Sequence, residues 1–322
     1  SEMCIRDRSE TLLMMSSRTI ALEVQVARLQ DRLQGNTPQE RFYSFFQQLR
    51  QPEQVLSLLE EYPVLARQLT ICIDQWVTFS WEFLQHLCRD WQVIQTTFSP
   101  ENDSGQLVAV QGGAGDTHRG GRSVIVAYFS SGFKLVYKPR SLDTDVHFQQ
   151  LLIWLNKRGD HPPFRTLKIL NRDSYGWVEF IAPQSCTSEE EIRRFYKRQG
   201  GYLALLYTLE ATDFHHENLI AAGEHPVLID LETLFHPRAS KINPTQSELM
   251  AYETLNQSVL RIGLLPQRVW SSKDYDGIDL SGLGAKEGQL MPSGPSWKGV
   301  GTDELRLVRE QGRVAGTHHQ PT

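Results

Sequence analysis

Close to residue 100 the apolar residues change their period, and this switch limits the folds open to the chain. From about Ser17 to Ser99, "IALEVQVARLQDRLQ", "ERFYSFFQQLR" and "PEQVLSLLEEYPVLARQLTICIDQWVTFSWEFLQHLCRDWQVI" carry apolar residues at three- and four-residue spacing, the mark of amphipathic helices. Such a stripe predicts packed core rather than a binding surface. "SPENDSGQ" (Ser99–Gln106) is rich in turn formers and marks a boundary. Beyond it, "LVAVQGGAGDTHRGGRSVIVAYFSSGFKLVYKPRS" consists of short β-branched and aromatic runs punctuated by glycine. "SVIVAYF" and "FKLVYK" flank "SSG" and predict a compact hairpin. "DVHFQQLLIWLNKRG" returns to helix, and "FRTLKILNRDSYGWVEFIAP" reads as two further strands. From "TSEEEIRRFYKRQGGYLALLYTLEATDF" onward helix is expected to dominate, starting at Thr187 or Ser188 as N-cap with acidic residues in the first turn. The expected class is α+β, with a small antiparallel sheet near residues 107–183.

The 322 residues suffice for one large domain or two modest ones. A net charge of -5 gives no general attraction to nucleic acid or anionic membrane, so any phosphate site must be built from local donors or metal ions. Cys4, Cys72, Cys88 and Cys186 form no C-x-x-C pair, which argues against zinc and fits a reducing, cytoplasmic setting. No apolar run approaches the roughly 20 residues of a membrane span. The start, "SEMCIRDRSETLLMM", makes a poor signal peptide and differs in texture from the helical stretch after it. Residues 1–16 are therefore expected to be an artefact or a disordered leader, with the natural start at Met14 or Met15.

The chemistry concentrates in "TDFHHENLIAAGEHPVLIDLETLF" (Thr212–Phe235), where two Asp, three Glu, three His and an Asn surround two short apolar runs. Burying unpaired charge is costly, so the segment reads as polar groups held by a packed scaffold. Asp213 precedes Asn218 by five positions, and Asp230 follows twelve later. Five is also the Asp-to-Asn interval of the protein-kinase catalytic loop, where the Asp handles the substrate hydroxyl while the Asn and a later Asp hold magnesium. Hard oxygen ligands suit that ion. In "VLIDLE" an apolar strand is expected to end in Asp230, with Glu232 on the same side of the chain. Upstream, "KLVYKPR" places Lys138 at a strand end, where a cation can neutralise nucleotide phosphates. "GGAGDTHRGGR", with Gly112, Gly113 and Gly115, is a glycine-rich turn able to approach phosphate, although no G-K-[ST] follows. In this order the signals favour a two-lobed, kinase-like ATP site.

Blander readings exist for each residue taken singly. Asp213 or Asp230 could cap a helix or a turn, Lys138 could be a solvated strand-edge residue, and the glycines could serve turns alone. His216 and Glu217 are expected to face solvent or cap a helix, and His236, His318 and His319 to lie on the surface. A binuclear metal hydrolase could use Asp213, His215, Asp230 and Glu232, but would need neither the lysine nor the glycine turn.

The blocks "GDTHRGGRSVIVAYFSSGFKLVYKPRS", "YGWVEF", "GGYLALLYTLEATDFHHENLIAAGEHPVLIDLETLF" and "SVLRIGLLP" resemble the dehydratase domain of class II lanthipeptide synthetases (the LanM type). Agreement runs from roughly Leu107 to Leu307 and takes in "DLSGLG" and "GTDELRL". The resemblance implies a lipid-kinase-like core that uses ATP and magnesium to phosphorylate Ser and Thr of a ribosomal precursor peptide (a leader plus a Ser/Thr-rich core). Phosphate is then eliminated to give dehydroalanine or dehydrobutyrine. By position, Lys138 matches the phosphate-contacting lysine, Asp213 the phosphorylation-site aspartate and His215 the histidine beside it. Asn218, Asp230 and Glu232 match the magnesium-side positions. Asp116 and His118 of "GDTH" match residues tied to catalysis and phosphate elimination.

The expected organisation after residues 1–16 is a helical region at 17–100, a small-sheet N-lobe with the glycine turn at 101–183, and a helical C-lobe at 184–322. That lobe would be incomplete, because family members are longer and carry a zinc-dependent cyclase of which no Cys/His ligand set occurs here. Family residues for elimination, an Arg and a Thr, would fall beyond Thr322. The expected partners are the precursor peptide and, in the full-length system, export machinery, with no nucleic acid. Two alternatives remain open: a kinase that stops at the phosphorylated product, and a non-catalytic leader-peptide-binding module of the same fold.

Overall fold

The computed structural model describes residues 2–99, 101, 103–113, 119–235, 246–269, 277–314 and 318–321. The chain divides into two compact units, Ser1–Tyr137 with Ser293–Gln311, and Lys138–Pro292 with Gly312–Thr322. Among the described residues no helix is long and apolar enough to cross a membrane.

The first unit opens with four helices: α1 (Glu2–Leu29), α2 (Pro38–Leu49), α3 (Pro52–Glu61) and α4 (Pro63–Phe98). Proline at the first helical position restarts the chain three times, where its missing N–H has no helical partner to lose. At α2 a reciprocal capping box adds to this: Glu40 N donates to Thr37 Oγ1 at 3.2 Å, and Thr37 N donates to Glu40 Oε2 at 3.1 Å. Residues 2–16, expected to be an artefact or a disordered leader, belong to α1, which runs through "SETLLMMSSRT" with Ser16 Oγ bonded back to Leu12 O at 2.8 Å.

After the helices come β1 (Leu107–Gln111), β2 (Ile125–Phe129) and β3 (Lys134–Lys138), an antiparallel meander whose last residue, Lys138, begins the second unit. The α4 face bearing Phe79, Phe83, Leu87 and Ile94 is buried. The Phe83 ring lies 5.4 Å from that of Tyr137, and Trp91 stacks at 5.2 Å on Phe129. Neither Cys72 nor Cys186 is fully buried and Cys88 is exposed, so these three cysteines do not serve as core residues.

The second unit begins with α5 (Asp143–Asn156) and the hairpin of β4 (Ile169–Asn171) and β5 (Gly176–Glu179). Then come α6 (Glu189–Thr208), capped by Ser188, and the hairpin of β6 (Leu219–Ala222) and β7 (His225–Leu228). Further on are α7 (Gln246–Gln257), β8 (Arg268–Val269) paired with β9 (Ile278–Asp279), and a ribbon of β10 (Leu290–Lys298) and β11 (Arg306–Arg313), of which Ser293–Gln311 belongs to the first unit. The expectation that helix dominates beyond residue 184 is thus corrected. After α6 the only described α-helix is α7, and short strands carry much of the rest. Four-residue runs such as "LIAA" and "HPVL" are too short for buried helices but pair across a tight turn at Gly223.

One core holds this unit together. It draws Phe148 and Leu152 from α5, Tyr202 and Leu206 from α6, Ala211 after it, and Phe214, Leu219, Leu228, Leu231 and Leu234 from the segment rich in polar groups. That segment is therefore anchored by the apolar residues it interposes.

Candidate active site

Phe214 and Leu231 are almost wholly buried, at 1% and 2% exposure. Each is flanked by polar residues, Asp213 and His215 around the first, Asp230 and Glu232 around the second. The flanks are more exposed, with side chains at 57% for Asp213, 29% for His215, 41% for Asp230 and 34% for Glu232. The hairpin joins the two loops, and Ile229 N donates to Asn218 O at 3.1 Å just beyond its paired ends. Strand β7 stops at Leu228, so Asp230 lies past the strand rather than at its end. Its carboxylate accepts from Glu232 N at 3.1 Å and closes a turn that carries both acids.

The loop at Asp213 is clamped from two sides. Phe214 N donates to Ile262 O at 2.7 Å, and His216 uses both its main-chain N–H (3.1 Å) and ring Nδ1 (2.9 Å) on Leu280 O. At Gly263 (φ 79°) a Cβ would come within 3.3 Å of Phe214 N, and at Gly282 within 2.8 Å of Phe214 O, so glycine is needed for the backbones to approach. Arg261 secures the clamp by bonding Tyr207 O at 2.6 Å and Asn256 O at 3.0 Å. The family-like blocks "SVLRIGLLP" and "DLSGLG" thus serve to hold the Asp213 loop. His216 faces a carbonyl rather than solvent, a bracing role that its local sequence does not signal.

Held this way, Asp213 adopts φ 65°, a left-handed conformation uncommon for a residue with a side chain. Backbone strain of this kind concentrates at functional sites. Asn218 Nδ2 donates to Asp213 O at 2.8 Å across the five-residue interval. Glu217 N donates to His215 Nδ1 at 3.2 Å, so a neutral imidazole carries its proton on Nε2, which lies 3.6 Å from Asp213 Oδ1.

Lys138 is buried, with 7% exposure. Its Nζ donates to Asp145 Oδ1 at 3.3 Å and to Ile229 O at 2.6 Å. Arg140 joins the same group, reaching Asp145 Oδ2 at 2.8 Å, Asp230 Oδ1 at 3.4 Å and Glu232 Oε1 at 2.6 Å. Burial opposes the guanidinium charge, but Asp145, Glu232 and Asp230 outweigh it and leave its pKa raised. Neither Arg140 nor Asp145 stood out in the sequence. A signal existed, since Arg140 is two residues from Lys138 and an extended "KPR" puts both on one side.

Six expected site residues therefore share the second unit: Lys138, Asp213, His215, Asn218, Asp230 and Glu232. Gly112 and Gly113 belong to the first unit, where Gly113 N donates to Ser123 Oγ at 3.0 Å. Gly115, Asp116, His118 and His236 lie outside the described residues. Among the described residues no three His, Cys, Asp or Glu side chains form a metal-holding group. Of the other histidines, His318 is exposed as expected but His319 is fully buried, a correction to its expected surface position.

The profile of a family described as "Domain of unknown function (DUF4135)" matches residues 62–322. The chain belongs to the DUF4135 family. This DUF4135 chain is also 27% identical over 288 residues to the "Lacticin 481/lactococcin biosynthesis protein LcnDR2" of Lactococcus lactis subsp. lactis. The alignment covers 86% of this chain and 30% of that protein, so the DUF4135 chain spans less than a third of its relative's length. The resemblance to class II lanthipeptide synthetases, read from the blocks around Lys138, Asp213 and Asp230, is borne out.

Proposed function

We propose that this chain is the dehydratase part of a lanthipeptide synthetase, with a kinase-like, two-lobed fold that phosphorylates Ser and Thr of a precursor peptide from ATP. The observation that carries the reading is the buried Lys138–Asp145 pair beside Asp230, Glu232, Asp213 and Asn218 within one unit. A strand lysine paired to a helix carboxylate is what protein kinases need in order to hold nucleotide phosphates. The relative's name, which ties that protein to biosynthesis of lacticin 481 and lactococcin, supports a peptide substrate.

The donors suit magnesium. Asp230 Oδ1 and Glu232 Oε1 converge on one cationic group, Arg140, and both are hard oxygens. Asn218 adds an amide oxygen that accepts no hydrogen bond among the described residues, its nitrogen being spent on Asp213 O. When bound, magnesium would neutralise charge on the transferring phosphoryl group. Asp213 receives the proton of the attacking Ser or Thr hydroxyl as the new O–P bond forms and the bond to the departing diphosphate breaks. The imidazole of His215 lies beside that carboxylate, with Nε2 3.6 Å from Asp213 Oδ1. Lys138 supplies positive charge to the phosphates, and Ile229 O keeps it in place. In the second half-reaction a base removes the Cα proton, the Cβ–O bond breaks, and phosphate leaves. His118 and Asp116 are assigned to this step from the family resemblance.

Mass spectrometry of a Ser/Thr-rich precursor peptide, incubated with ATP, magnesium and the full-length parent, tests the reading. Loss of water supports a dehydratase, gain of phosphate alone a kinase, and no change a binding module. In that parent His118→Ala should accumulate phosphorylated peptide, and finding only unmodified peptide on a folded variant overturns its assignment to elimination.

A further inference from the structure

Arg140 contacts both carboxylates expected to bind the metal. Its guanidinium, always protonated, lies 2.6 Å from Glu232 Oε1 and 3.4 Å from Asp230 Oδ1. A divalent ion taking the same oxygens would meet the guanidinium charge beside it, so ion and Arg140 compete for these carboxylates. The third contact differs in kind. Asp145 is 5% exposed in its side chain, against 41% for Asp230 and 34% for Glu232. It faces Lys138 as well, so it is the fixed end of the network and the other two are the open end.

We propose that Arg140 is a displaceable counter-cation for the Asp230–Glu232 pair. Before metal arrives it satisfies both carboxylates and holds their turn. When the metal arrives it gives up those two contacts and pivots on Asp145. The charge balance supports such an exchange. Lys138 and Arg140 face Asp145, Asp230 and Glu232, so these five groups leave one negative charge over. A divalent ion turns this into one positive charge, with a freed guanidinium able to donate bidentately to phosphate oxygens. The site would thus attract cation first and become attractive to polyphosphate as a result. Arg140 is then a positioning residue whose presence weakens metal binding in the absence of nucleotide. This rests on the magnesium-dependent reading above.

The test is titration of the nucleotide-free protein with Mn2+, read by the electron paramagnetic resonance of free ion, for wild type, Arg140→Gln and Asp230→Asn. Loss of the competing cation should tighten Mn2+ binding by roughly tenfold or more in Arg140→Gln. Weaker or unchanged binding in that variant overturns the exchange and leaves Arg140 as a mere brace. Asp230→Asn separates the two levels. If it binds Mn2+ as wild type does, the metal assignment itself fails, whereas loss of binding upholds it whatever Arg140→Gln shows. Should Arg140→Gln not fold, the wild type still decides: the Arg140 Nε–H, followed by 15N NMR and assigned with Arg140→Lys, should lose protection from exchange on adding Mg2+. Unchanged protection at saturating Mg2+ refutes the proposal.

Discussion

The Nζ of Lys138 lies 2.6 Å from the main-chain oxygen of Ile229, the residue before Asp230. One bond thus ties the expected phosphate-contacting cation to the loop that carries the expected metal-side carboxylates. Lys138→Met should accordingly abolish phosphate transfer, by roughly a thousandfold or more. It should cost only modest stability, because Arg140 remains to compensate Asp145. Product release from ATP in the presence of peptide, set beside a melting curve, checks both halves. Full activity in the folded variant would sink the assignment.

Asp213→Asn tests whether the left-handed aspartate acts by charge or by conformation. Asparagine tolerates φ near 65° and should fold as the wild type does, yet it cannot accept a proton. Peptide phosphorylation should fall by about two to four orders of magnitude with the melting temperature nearly unchanged. Asp213→Ala should lose the same activity and melt lower, since alanine pays about 1–2 kcal/mol in that conformation. Equal melting of the two variants would mean that the loop is free to relax.

Glu224 offers a structural counterpart. It caps the tight turn between β6 and β7 and is bound by Arg194 and by Arg198, whose Nη1 also donates to Glu224 O at 2.8 Å. Those contacts, led by Arg194, hold its carboxyl below the usual range. Removing the buried partner, as in Arg198→Ala, takes the donor from Glu224 O and should loosen the whole hairpin that leads to Asp230, by about 1–2 kcal/mol. Amide hydrogen exchange should show protection lost across residues 219–228 first. Protection unchanged there would place the anchoring elsewhere.

In the first unit the tip of the β10–β11 ribbon is locked by Asp303, whose side chain is fully buried against Arg41 at 2.6 Å. Gln25 Nε2 adds bonds to Asp303 O at 3.0 Å and Leu305 O at 3.1 Å. Arg41→Ala leaves a buried carboxylate without a partner, and should lower the melting temperature by about 5 °C or more. Adding Asp303→Asn should recover part of that loss, because a neutral amide is cheaper to bury. A double variant that melts below the single one contradicts this account.

His319 gives a pH signature. Burial first, and the charge of neighbouring His216 second, lower its pKa to about 4. The unfolded chain takes up the proton near pH 6.5. Stability from this group is therefore complete above about pH 6.5 and is lost as pH falls towards 4. Melting curves at pH 7.5 and 5 should separate by less in His319→Phe than in wild type. An equal separation in both would assign the acid sensitivity to other groups.

The local grammar of the fold was legible in the sequence. Helical spacing before Ser99, the "SSG" hairpin turn, the cap at Ser188 and the Asp213-to-Asn218 interval are all decided within a few residues, where periodicity and turn chemistry act. The two-residue spacing of Asp230 and Glu232 likewise read as a pair on one side of the chain. Tertiary structure decided what local pattern does not encode. Arg140 and Glu232 lie far apart in sequence and meet only because β7 returns beside Lys138. Arg41 and Asp303, 262 residues apart, pair because the ribbon folds back onto α2. His319 looked like a surface histidine and is buried because the C-terminal segment is hydrogen-bonded to β6, His318 O accepting from Ala221 N at 2.7 Å. In each case a charged or polar side chain of ambiguous local meaning acquires its role from a partner brought by distant chain. Burial and pairing of charge are properties of the assembled interior, not of the residues that surround it in sequence.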